Sequence, residues 1–69
     1  MKTLSRTESA TAVRRLRMNL GMTQEQFAQR LDATYSTISR WENQFATPSK
    51  PFRKEMNRLA SEMALPEPF

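Results

Sequence analysis

Sixty-nine residues make one small domain, and at that size the core is marginal unless helices pack tightly. The chain has no cysteine and no histidine, which excludes disulfides, cysteine zinc sites and the commonest metal ligand and general base; no apolar run is long enough for a membrane span or a signal-peptide core. Eleven Lys and Arg against seven Asp and Glu give a net charge of +4, with arginine supplying eight of the eleven; a guanidinium grips phosphate or guanine with two hydrogen bonds, so the balance suits a nucleic-acid partner as well as plain solubility.

Residues 1–9 are polar without a sustained period and are expected to form a flexible N-terminal arm. Helix 1 is expected over about 10–20, where Val13, Leu16 and Leu20 share one face. Gly21, the only glycine, follows where a left-handed cap is wanted. Helix 2, about 24–31, opens on Thr23 and Gln26, a T-x-x-Q capping box, with Met22 placed to staple onto Phe27. Phe27, Ala28 and Leu31 are its buried side.

Helix 3, about 35–43, starts from Thr34 as N-cap, with Ala33 and Ile38 in staple positions. Its apolar residues are only Ile38 and Trp41, so neighbours hold it on one side and leave the other free. The free side offers Tyr35, Ser36, Ser39 and Arg40, small polar groups and an arginine, which suits a helix entering the DNA major groove. After a loop from Gln44 to Pro48, Pro51 is expected at the first position of helix 4, about 51–64. Phe52, Met56, Leu59 and Met63 recur at +4, +3, +4 as its core stripe. Residues 65–69 are expected to be a tail whose Leu65 and Phe69, with Met63, can serve a second subunit. Phe45, a loop aromatic without a periodic partner, is expected to dock on the core rather than wait for a partner. The class is therefore all-α, a small four-helix domain with a helix-turn-helix, over residues 10–64.

These residues resemble the Cro/CI-type helix-turn-helix family, the lambda-repressor-like domains of the XRE family of bacterial and phage transcriptional regulators. The matching strings are Val13-Arg14-Arg15-Leu16-Arg17, Leu20-Gly21-Met22-Thr23-Gln24-Glu25-Gln26-Phe27-Ala28, Ser36-Thr37-Ile38-Ser39-Arg40-Trp41-Glu42-Asn43 and Pro48-Ser49. Their combination at these spacings is far more specific than any one piece. The resemblance implies that helix 3 reads bases through Tyr35, Ser36, Thr37 and Arg40. It implies phosphate contacts from Gln24 at the start of helix 2 and from Asn43; Thr34, Ser39, Arg14 and Lys50 around them are expected to add others. It makes Arg17 and Glu42 a structural ion pair tying helix 1 to the end of helix 3. Arg40 can pair with guanine O6 and N7; Tyr35 can meet a thymine methyl with its ring or a phosphate with its hydroxyl, and both stay open.

Two departures stand out. Asp32 and Gln44 occupy positions where the family usually has glycine, and left-handed backbone there costs a non-glycine residue roughly 1 kcal/mol per site. The loop after Asn43 lacks the family's lysines, which shifts expected phosphate binding to Lys50 and Arg53. The expectation is sequence-specific binding of double-stranded DNA, as a cytoplasmic, nucleoid-associated transcriptional repressor or regulator, a homodimer on a palindromic operator, with no cofactor, metal or membrane. The alternatives are a protein-interaction module or antitoxin-type partner, and a DNA-targeting domain detached from a larger protein. An enzyme is not expected, because no nucleophile, base or carboxylate pair is placed for catalysis.

Overall fold

The helix starts are written into side chains. A computed structural model describes residues 4–69, and Met1, Lys2 and Thr3 lie outside the described residues. Helix α1 spans Arg6–Asn19; Ser5 Oγ accepts from the Glu8 N–H while the Glu8 carboxylate accepts from the Ser5 N–H, a closed capping box. Helix α2, Gln24–Arg30, opens on the same device, Thr23 with Gln26. Helix α3, Tyr35–Glu42, is capped by Thr34, whose hydroxyl accepts from the Thr37 N–H. Helix α4, Lys50–Glu62, starts after Ser49 without a side-chain cap bond, and Pro51 stands in its first turn, where no N–H is needed.

Two boundaries differ by more than one residue from those expected, and Pro51 is the second residue of α4 rather than the first. Helix α1 begins at Arg6, inside the expected arm, because the Ser5–Glu8 box starts it there. That turn has no apolar period to reveal it: what it buries next is Ser9, whose hydroxyl has no hydrogen-bond partner, and Ala10. Helix α4 ends at Glu62 rather than Ala64, and Met63 is exposed instead of completing the core stripe.

All four helices end in the same way. The residue after each C-cap has positive φ: Gly21 (67°), Asp32 (57°), Gln44 (68°) and Ala64 (57°). At each, the following N–H reaches back to a carbonyl five residues earlier: Met22 to Arg17, Ala33 to Ala28, Phe45 to Arg40, Leu65 to Ala60. These are Schellman ends, and three of the four use a side-chain-bearing residue where glycine would be unstrained. Ala64 offers the cleanest test, since its methyl forms no hydrogen bond. Ala64→Gly should stabilise the domain by roughly 0.5–1 kcal/mol, net of the extra freedom glycine gives the unfolded chain. Urea unfolding checks this, and a loss of stability would mean that the left-handed turn is not strained.

The core joins Val13 and Leu16 of α1, Phe27, Ala28 and Leu31 of α2 and its cap, Ile38 and Trp41 of α3, and Met56, Leu59 and Ala60 of α4. Helix α3 packs against both α1 and α2. The Trp41 ring meets Phe52 edge-on at 5.1 Å, tying α3 to α4. The expected free tail is folded back: Leu65 and Phe69 pack on the core, and the Asn57 amide both donates to the Phe69 carbonyl and accepts from its N–H, each at 2.9 Å. The described residues form no strand.

Candidate nucleic-acid interface

Helix α3 divides sharply. Ile38, Trp41 and Glu42 are buried, whereas Tyr35, Ser36 and Arg40 are exposed on the opposite side and Thr37 and Ser39 lie half-buried between. Ser36 and Arg40, four residues apart, stand on one face. Thr34 and Thr37 share a hydroxyl–hydroxyl hydrogen bond of 2.9 Å, which ties both to the start of the helix. The Asn43 amide turns back onto α3, donating to the Ser39 carbonyl (2.8 Å) and hydroxyl (3.1 Å). In this conformation Asn43 spends its donors inside the helix end.

Glu42 is the electrostatic centre. Its side chain is 1% exposed and accepts four hydrogen bonds. Arg17 donates to both oxygens, from Nε at 2.7 Å and from Nη2 at 3.0 Å. Arg14 Nε (3.4 Å) and Gln24 Nε2 (3.2 Å) add to Oε1. Burial pushes the Glu42 carboxyl up, but the hydrogen bonds from Arg17 and Gln24 outweigh it and leave the pKa below the ordinary glutamate range. The same contact raises Arg17. Arg17 Nη1 also donates to the Met22 carbonyl at 3.0 Å, fixing the turn between α1 and α2. The ion pair thus exists with more partners than spacing alone discloses: the Arg14 and Gln24 contacts are additional to it. Glu42's place beside Ile38 and Trp41 on the buried stripe signals that its carboxylate needs partners, but not which ones.

A groove of about 600 Å³ lies between α1 and the end of α3, with Thr11, Arg14, Arg15, Asn43 and Gln44 on its walls. It brings Arg14 and Asn43 to one place. Lys50 is exposed at the start of α4. Arg53 Nη1 donates to the Pro48 carbonyl at 2.8 Å and holds the loop, which leaves its Nε and Nη2 donors for other partners. Arg58 pairs with Glu55 and Glu62, and Arg30 with Glu62, a solvated network. Phe45 does not dock; it is 69% exposed. As the residue after the left-handed turn it would pack against the side chain five positions back, and that is Arg40, itself exposed.

Among the described residues no helix is long and apolar enough to cross a membrane, and no group of His, Cys, Asp or Glu could hold a metal ion. A family model described as helix-turn-helix matches residues 13–52, from the middle of α1 through α2 and α3 into α4. No curated protein and no solved structure matches the chain.

Proposed function

Because the chain belongs to the Cro/CI-type helix-turn-helix family of DNA-binding domains, we propose that it binds double-stranded DNA sequence-specifically with α3 in the major groove, as a transcriptional repressor or regulator. The observation that carries this reading is the division of α3: one side anchored by Ile38, Trp41 and Glu42, the other presenting Tyr35, Ser36 and Arg40 to solvent. Arg40 takes a guanine, Ser36 and Thr37 take base edges, and Tyr35 meets a thymine methyl or a phosphate. Gln24, Thr34, Ser39, Arg14 and Lys50 meet the backbone, Asn43 joins them once its amide swings off Ser39, and together they set register, affinity and salt dependence. Two copies on a palindromic operator place their recognition helices about 34 Å apart, one turn of duplex. Occupying a promoter then excludes polymerase.

Selection from a random duplex library tests the reading, with winners titrated at two salt concentrations. A palindromic consensus held well above random DNA is the expected result. Arg40→Ala should then cost about 1–3 kcal/mol on the selected site and relax preference at one base pair. An Arg40→Ala protein with intact preference removes direct readout by that residue. The exposed Phe45 favours one second reading, a protein-interaction role such as the antitoxin half of a pair. That reading predicts no enriched sequence in the same selection, with binding that fades as salt rises.

A further inference from the structure

Glu42 is the last residue of α3, Arg14 lies in the middle of α1 and Gln24 is the first residue of α2. One buried carboxylate on α3 therefore joins it to α1 and α2, and two of the side chains it holds, Arg14 and Gln24, are among those assigned to the DNA backbone. We propose that Glu42 is a positioning residue for phosphate binding: it holds the Gln24 amide and the Arg14 guanidinium so that their remaining N–H groups face a DNA phosphate before DNA arrives. This rests on the DNA-binding reading above.

The chemistry is one-sided in a useful way. An ionised carboxylate only accepts, so it admits the Gln24 Nε2 and rejects its Oε1. The contact at 3.2 Å thereby fixes which way the amide faces and leaves its second N–H pointing elsewhere. Arg14 is held through Nε alone, at 3.4 Å, and its side chain is 56% exposed. That leaves the two Nη groups as an edge that matches a phosphate. Arg17, by contrast, spends Nε and Nη2 on Glu42 and Nη1 on the Met22 carbonyl. The division is between one arginine that locks the carboxylate and another that the carboxylate presents.

Simple charge counting predicts the opposite sign, which makes the inference testable. Glu42→Gln raises the net charge from +4 to +5, so long-range attraction alone would tighten DNA binding and steepen its salt dependence. Positioning predicts the reverse. Folded Glu42→Gln, verified by circular dichroism at low temperature, should bind the selected operator about tenfold more weakly. Its log-affinity against log-salt slope should be shallower by about one, the loss of one phosphate contact. Equal or tighter binding with an unchanged or steeper slope overturns the inference.

Should Glu42→Gln fail to fold, NMR of the Gln24 side-chain amide in the wild-type protein without DNA decides. An Nε2 proton displaced from its free-glutamine shift and a side-chain amide as rigid as the helix backbone are expected, and the shifts and mobility of a free glutamine amide overturn the proposal. This second measurement needs no operator, so it separates failure of the positioning role from failure of DNA recognition.

Discussion

Glu42→Ala should cost the domain about 3–5 kcal/mol, because it strands the Arg17 guanidinium in a largely buried site without its carboxylate. For a chain of this length the whole folding free energy is on the order of 3–10 kcal/mol, so the variant loses a large share of it and should melt far below the wild type by circular dichroism. The pair itself is not worth that much. Desolvation offsets most of its Coulomb attraction, so Arg17→Met combined with Glu42→Leu should recover a large part of what Glu42→Ala loses. A single Glu42→Ala loss below about 1 kcal/mol would mean that water enters and solvates Arg17.

The same carboxylate gives the fold a pH dependence. Burial alone would raise the Glu42 pKa, but hydrogen bonds from Arg17 and Gln24 outweigh it, so Glu42 titrates below the ordinary glutamate range in the folded chain. Its contribution is complete above the unfolded glutamate pKa and is lost as pH falls through the lowered folded value. Wild-type melting temperature should therefore drop on acidification through and below the ordinary glutamate range, and Glu42→Gln should start lower and decline less. Glu55 is also lowered, by its exposed contact with Arg58, so the variant's slope shrinks without vanishing.

Most of this fold is legible in the sequence because its signals are local. Thr23 with Gln26, Thr34 as a cap, Gly21 after α1 and the spacing of Phe27, Leu31, Ile38 and Trp41 each act within a few residues, and the structure uses all of them. What local patterning misses is what depends on a neighbour or on a turn. The +4, +3, +4 stripe places Met63 inside, yet the left-handed Ala64 ends the helix and Leu65 packs on the core while Met63 stays outside. Phe45 reads as a docking aromatic, yet the turn at Gln44 leaves it on the exposed side. The start of α1 shows only in the Ser5–Glu8 box, a signal present in the sequence but unaccompanied by apolar period. At the interface, the helical spacing of Ile38 and Trp41 is enough to separate the buried face of α3 from the exposed one. The convergence of Arg14 and Gln24 on Glu42 spans three helices and has no one-dimensional signature.

Trp41→Ala should unfold the protein, at a cost of about 3–5 kcal/mol for the cavity and lost transfer energy of a large aromatic. Helix α3 is short and contributes few buried groups, so its largest one carries most of its attachment. The edge-on contact with Phe52 at 5.1 Å adds roughly 0.5–1.5 kcal/mol that burial alone does not count. Arg40, one position earlier, is turned about 100° around the helix axis and is exposed. Adjacent substitutions should therefore separate cleanly. Arg40→Ala should keep the wild-type melting temperature and lose base preference; Trp41→Ala should lose the melting transition, and its DNA binding only as a consequence. Thermal melts of the two variants beside titrations on the selected operator read both quantities. A Trp41→Ala protein that melts normally but binds DNA weakly would make the indole a base-stacking group, and the buried side of α3 would then be the wrong side.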